Sequence, residues 1–212
     1  LMAVTSSTDI CNMALDLLQG GFVSDISSPQ TSTEEKCARW YDVNRRMLLR
    51  MHPWNFAIKR AELSASSTIP LFGAAAAFPV TADFIRLLRV VNEDDMIYAA
   101  SDYFFENKSI MLRYSDATVC RIIYISDVEN VLAFDDIFIQ LLAVEIALSL
   151  AYSITQNNSN IERLSAIRKT LIKNATGIDG QEHPPEVRRV SVNRNARRSL
   201  GVRDTTRHYF NG

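Results

Sequence analysis

The sequence is short of the residues that most enzymatic chemistry needs. Its seven glycines fall as Gly20-Gly21 and as lone residues at 73, 177, 180, 201 and 212, so no glycine-rich loop can cradle a phosphate with consecutive backbone N–H groups. Nucleotide binding by such a loop is excluded. The three histidines, His52, His183 and His208, lie in separate segments, none within HExxH or at ligand spacing from a cysteine, which leaves metal-assisted hydrolysis without a visible basis. Cysteines are equally sparse: Cys11, Cys37 and Cys120 are odd in number, widely spaced and free of any CxxC pair. That pattern fits a reducing compartment and small apolar core residues, not a disulfide framework or a redox centre. No cofactor and no metal are expected.

Long apolar runs are missing too. The one stretch approaching membrane-span length, 137–154, contains Gln140, Glu145, Ser149, Tyr152 and Ser153, and a mid-span carboxylate is costly in lipid. A buried helix and no membrane association are expected. Residues 1–9 show no basic segment followed by an apolar core, so no secretory signal is visible and the product is expected to stay in the cytoplasm that makes it.

What is present suits a folded chain. Hydrophobic residues make up 47% and charged residues 22%, which excludes wholesale disorder, and 212 residues suit one domain or one domain with an insert. The net charge of −1 hides an asymmetry. Residues 181–212 carry Arg188, Arg189, Arg194, Arg197, Arg198, Arg203 and Arg207 against Glu182, Glu186 and Asp204. That tail is +4, so the body carries about −5, and a basic tail on an acidic body suggests a partner of its own: nucleic acid or an acidic protein surface.

Periodicity orders the rest. Ile10, Met13, Ala14, Leu17 and Leu18 recur at helical spacing before Gly20-Gly21, predicting a helix over 8–19. Ser32 and Glu35 have capping-box spacing at the start of a helix carrying Cys37, Trp40, Tyr41, Leu48 and Met51, which Pro53 closes. Short β-like runs follow at 55–63, 84–91, 96–100, 109–114 and 121–125, with Glu106-Asn107-Lys108 as a turn, and these predict a small antiparallel sheet. Residues 64–79 are rich in Ser and Ala and read as an exposed loop, whose apolar tip Leu71-Phe72 invites burial against its own domain or a neighbour. Helix returns at 134–155, apolar nearly all round, and at 159–175, with Gly177 and Gly180 beyond it. The apolar helix needs cover on every side, from the fold or from another subunit, so oligomerisation is expected, with Phe138, Leu142 and Glu145 as interface candidates beside Leu71 and Phe72. Beyond His183-Pro184-Pro185 the tail lacks helical periodicity and reads as an extended arm. Asp94-Asp95 and Asp135-Asp136 are expected in solvated or capping roles.

The fold expected from this pattern is α+β. A helical bundle spans 1–53 and 130–178, a small antiparallel β domain is inserted at 54–129, and an extended basic C-terminal arm covers 179–212.

One set of residues carries a resemblance. The first helix reads Ile10-Cys11-Asn12-Met13-Ala14-Leu15. The second holds Cys37, Trp40-Tyr41-Asp42 and Arg45-Arg46-Met47-Leu48-Leu49, and runs into His52-Pro53-Trp54-Asn55-Phe56-Ala57 and Arg60-Ala61-Glu62-Leu63. Further on come Phe78-Pro79, then Asp83-Phe84-Ile85-Arg86-Leu87-Leu88-Arg89-Val90, and a long helix with Ala143, Ala147 and Ala151. Over roughly residues 8–177 the chain resembles tail tubular protein A, the head-to-tail adaptor of short-tailed bacteriophages. The His52-to-Phe56 stretch is the most specific element, and its residues Trp54 and Phe56 are expected on one face of a strand that locks the helices to the sheet.

The resemblance implies a structural, non-enzymatic subunit of the virion tail, assembled in the host cytoplasm into a twelve-fold ring between portal protein and tail nozzle protein. Double-stranded genome DNA would pass through the lumen without sequence-specific binding, and tail fibres would dock nearby. It also implies that the arm, through its seven arginines with Tyr209 and Phe210, reaches toward the portal. Three alternatives stay open: another phage head-completion or connector protein, a DNA-binding regulatory protein using the basic tail, and an enzyme whose site assembles from scattered residues such as Asp42, His52 and Asp136.

Overall fold

The computed structural model describes residues 4–68, 70–91, 97–113, 117–154 and 158–182. Within it the chain is α+β, with four α-helices and two three-stranded antiparallel sheets. Two units are separable, 1–179 and 180–212. The second lies outside the described residues apart from the final residues of the last helix.

Helix α1, Ser7–Leu18, opens with a capping box in which the Ser6 hydroxyl accepts from the Asp9 N–H at 3.1 Å and the Asp9 carboxylate accepts from the Ser6 N–H at 2.9 Å. It buries Ile10, Cys11, Ala14, Leu15 and Leu18, one face at helical spacing. Helix α2, Ser32–Met51, also opens with a capping box, but one residue earlier than the sequence suggests: Thr31 and Glu34, not Ser32 and Glu35. The run Thr31-Ser32-Thr33-Glu34-Glu35 offers both frames. The earlier one wins because Glu34 lies on the buried face of the helix and accepts from Ser24 and Gln30 as well, satisfying donors that an exposed Glu35 would leave unpaired.

At Pro53 the chain leaves α2 and enters a 3₁₀ turn, Asn55–Ala57, before strand β1, Ile58–Ser64. Trp54 and Phe56 therefore sit ahead of the strand instead of on it. They nonetheless act together. Both rings meet Phe138, at centroid distances of 5.1 and 5.0 Å, Phe56 also meets Phe134 at 5.5 Å, and Trp54 Nε1 donates to the Leu48 carbonyl at 3.0 Å. The buried edge-to-face cluster joins the end of α2 to the start of helix α3, Asp136–Ile154.

The remaining strands are β2 (Ala76–Pro79), β3 (Phe84–Val91), β4 (Tyr103–Glu106), β5 (Ser109–Leu112) and β6 (Val119–Ser126). One sheet has the order β1-β6-β3 and the other β2-β5-β4. Strand β3 falls where the sequence places it, and β1, β5 and β6 overlap their expected runs. Two strands were not expected. Strand β2 hides in the alanine-rich 64–79 segment, where Phe78 is fully buried, and β4 lies in a stretch without period-2 alternation. The 96–100 run forms no strand among the described residues, only a single bridge from Ile97 to Val91. The Asn107-Lys108 turn between β4 and β5 has both residues at positive φ, 45° and 55°, the two-residue hairpin geometry whose twist matches the strands it joins.

Strand alternation divides the core. On β6, Cys120, Ile122 and Tyr124 pack with Leu63, Phe78, Val90, Ile110 and Leu112, whereas Ile125 joins the core of the helices. Arginines stitch helix to sheet: Arg50 Nη1 donates to the Ile85 carbonyl at 2.8 Å, and Arg86 Nη1 donates to the Arg50 carbonyl at 2.8 Å, placing a cation on the exposed carbonyls of the α2 C-terminus.

Helix α3 buries residues on every side, including Leu141, Leu142, Val144, Ile146 and Leu150, and it packs on α1 and α2. Phe138 and Leu142 are completely covered by the chain itself, so they are not interface residues as the sequence suggested. Of the two sources of cover open to it, the fold or another subunit, the chain's own elements supply it. Among the described residues no helix is long and apolar enough to cross a membrane. Helix α4, Asn158–Glu182, runs on past the expected end at 175. A glycine inside a helix costs only about 1 kcal/mol, and Gly177 does not stop it.

The packing predicts a contrast that urea denaturation can read. Phe138→Ala should cost about 3–5 kcal/mol through the lost aromatic contacts and the cavity left behind. Phe72→Ala, at a side chain 88% exposed, should change stability by less than about 0.5 kcal/mol.

Candidate functional site

The most developed polar site lies where α2 meets the segment after β6. Arg45 is on the inward face of α2 because it follows Tyr41 by one turn and precedes Leu48 and Leu49, and its side chain is only 3% exposed. A guanidinium buried to that degree must be paired. Its Nη1 donates to Asp127 Oδ1 at 2.5 Å and to the Val128 carbonyl at 2.6 Å, and its Nη2 reaches Asp42 at 3.4 Å and Glu129 at 4.0 Å. Asp127 also accepts from Arg46 Nε at 3.0 Å. The planar fork of arginine can serve several acceptors at once, which a lysine ammonium cannot do in this geometry. The site is a clamp fixing the β6-to-α3 connection onto α2.

Two polar atoms beside it have no hydrogen-bond partner among the described residues, Arg45 Nε and the Tyr41 hydroxyl. Burial pushes the Tyr41 hydroxyl up to about 12, so it stays protonated and is no general base near neutrality. On the far side of the helical core Glu145, placed mid-helix on α3, forms an ion pair with Arg168 of α4. Asn44 donates to Ser149 at 3.1 Å between α2 and α3. Glu145 is thus an internal tie, not an interface residue.

Glu34 is held well below the usual carboxylate range, from 4.5 to about 2, by the Gln30 N–H first, then the Ser24 hydroxyl and N–H, and the Thr31 N–H. Asp83 is also lowered, as Lys59 at 2.8 Å and the Tyr124 hydroxyl at 3.0 Å outweigh its desolvation. Cys11 and Cys37 are buried and their thiols interact, which with burial raises Cys11. The same contact lowers Cys37, while burial alone pushes Cys120 up to about 11 and keeps it a thiol.

The other sequence candidates do not converge on a catalytic arrangement. Asp42 contacts Arg45, His52 caps the C-terminus of α2 and lies edge-on to Trp54 at 5.0 Å, and Asp136 occupies the first turn of α3. No group of three or more metal-ligating side chains occurs among the described residues. The arm residues Arg188, Arg189, Arg194, Arg197, Arg198, Arg203, Arg207, Tyr209 and Phe210 lie outside the described residues, as do Asp94 and Asp95. Leu71 and Phe72 are 97% and 88% exposed, the most exposed large apolar pair in the described chain.

One surface was missed by the sequence reading. The sequence places Trp40 and Met51 on α2 without assigning them a face, and Trp40, Val43, Met47 and Met51 are all exposed. Their spacing of three, four and four residues was the available signal. It marks a second apolar stripe, distinct from the buried one through Cys37, Tyr41 and Leu48. No protein-family model matches the chain, and no curated protein matches it.

Two outcomes are expected. Arg45→Ala should lower the unfolding free energy by about 3–5 kcal/mol, because Asp127 stays buried with only Arg46 to answer it, whereas Tyr41→Phe should be neutral or slightly stabilising because the hydroxyl it removes is unpaired. Both follow from denaturant melts. For acid, the sign is set by Glu34: its carboxylate is lower in the folded than in the unfolded state, so its contribution is full above about pH 4.5 and is lost as pH falls toward 2. Glu34→Gln should flatten that part of the stability-against-pH curve.

Proposed function

We propose that the chain is a structural subunit of a head-to-tail adaptor in a short-tailed phage, forming a ring between portal protein and tail nozzle protein. In this reading the helical bundle of 1–53 and 130–178 forms the ring wall, the β domain of 54–129 is inserted in it, and the arm of 179–212 reaches the portal. The subunit works by geometry and performs no covalent chemistry. Genome DNA passes through the lumen, tail fibres dock nearby, and the acidic body repels DNA enough for it to slide.

The observation that carries the reading is the His52-to-Phe56 stretch, the most specific part of the resemblance, together with its place in the fold. Trp54 and Phe56 join α2, α3 and the approach to β1 through aromatic contacts, the joining role expected from these residue types beside Pro53. The exposed Leu71-Phe72 tip supports it further, since an apolar pair so fully in solvent is unusual unless a neighbour covers it. With α3 covered by its own chain, contact between subunits falls to such surface features.

The test is the mass of the purified protein with and without 183–212, in the presence and absence of portal. A ring, formed alone or on portal, that loses portal binding without the arm is the expected result. A monomer that ignores portal and binds duplex DNA through the arm, with steep salt dependence, would replace the adaptor by the regulatory reading.

A further inference from the structure

The outward face of α2 carries an exposed stripe of mixed character, which no element covers among the described residues. Trp40, Val43, Met47 and Met51 run along it for about 16 Å at 1.5 Å per residue, with exposures of 36%, 53%, 40% and 40%. Arg39, Arg46 and Arg50, all exposed, form a row along one border, because their spacings of seven and four residues keep them on adjoining turns; Arg46 also holds Asp127 and Arg50 the Ile85 carbonyl within the chain. A surface of this kind fits an apolar knob edged with carboxylates.

Leu132 is an exposed apolar group of that character. Leu132, 72% exposed, stands on a 3₁₀ turn, Val131–Ala133, whose neighbours Val131 and Phe134 are buried anchors. Around it Glu129, Asp135 and Asp136 are exposed, the Glu129 side chain at 82%. The 64–79 segment bearing Leu71 and Phe72 contains no charged residue and Phe105 has a single adjacent carboxylate in Glu106, whereas Ile97, 52% exposed, follows Glu93, Asp94 and Asp95 in sequence.

The knob and the stripe also adjoin each other. Asp127, at the root of the knob segment, holds Arg46 of the arginine row at 3.0 Å. A surface whose neighbouring halves are complementary is satisfied by a second copy across a two-fold axis, each knob crossing to the other's stripe.

We infer that the free subunit pairs with a second copy of itself through this face, Leu132 seated among Trp40, Val43 and Met47 and its carboxylates against the arginine row. The pairing concerns the subunit alone, without portal, and does not depend on the adaptor reading.

Sedimentation equilibrium of the full chain in low salt, without portal, tests it. The wild type should dimerise reversibly at concentrations up to about 100 µM, and less well as salt rises. Arg39→Glu and Glu129→Arg should each weaken the dimer by about ten-fold or more, and an equimolar mixture of the two should restore it, since both crossed contacts then join opposite charges. Leu132→Ser, which trims a side chain already in solvent, should weaken pairing by about ten-fold while leaving the thermal midpoint unchanged. A wild type that stays monomeric, a dimer indifferent to these substitutions, or a mixture that fails to recover would each overturn the inference. None of those results bears on whether portal recruits the chain into a ring.

Discussion

Everything in the helical half and its junction with the sheet converges on the aromatic contact between Trp54, Phe56 and Phe138. Pro53 ends α2 by forcing the preceding residue out of helical geometry, and the chain must then turn into β1 without leaving a hole beneath the turn. Trp54 and Phe56 fill that space from one side and Phe134 and Phe138 from the other. The indole N–H gives the Leu48 carbonyl a partner at 3.0 Å, so the end of α2 is closed from inside. Arg86 closes it from the sheet side. Once that corner is fixed, the position of α3 against α2 follows, and with it the cover over α1.

A second constraint acts at the other end of the same connection. Arg45 is too deeply buried to be tolerated without partners, and its guanidinium gathers Asp127, Val128 and Asp42 around α2. The link from β6 to α3 is thereby pinned at its start by charge and at its finish by aromatic packing. The rigid placement of the short Val131–Ala133 turn is a consequence: Leu132 is held in solvent because both of its anchors face inward.

The sequence was most legible where one physical signal acted alone. Helix α1 announced itself by a clean 3.6-residue pattern, and β3 by an apolar run from Phe84 to Val91 interrupted only by Arg86 and Arg89. The α2 start was misplaced by one residue because two capping frames overlap at 31–35, and only the tertiary partners of Glu34 choose between them. Strand β2 was hidden because Ala76 and Ala77 carry little strand preference, and its pairing with β5 comes from Phe78 filling the sheet core. The apolar all-round character of α3 was read correctly, but not its cover, since sequence alone cannot show how much of the chain returns to pack on it. On α2 two apolar stripes overlap within 20 residues, so the list of its apolar residues did not separate exposed Trp40 and Met51 from buried Cys37, Tyr41 and Leu48. Of the site residues, His52, Pro53, Trp54 and Phe56 were legible as a structural joint, whereas Arg45 was visible only as part of a motif, because its partner Asp127 is 82 residues away.

The adaptor reading makes a geometric claim about assembly, and direct imaging addresses it most simply. Electron microscopy of the full chain mixed with its portal protein should show closed rings stacked coaxially on the portal, of matching diameter, with the 64–79 segment at contacts between subunits or with the neighbouring tail component. Fields of single particles with portal unadorned, or protein coating free duplex DNA instead, would contradict it.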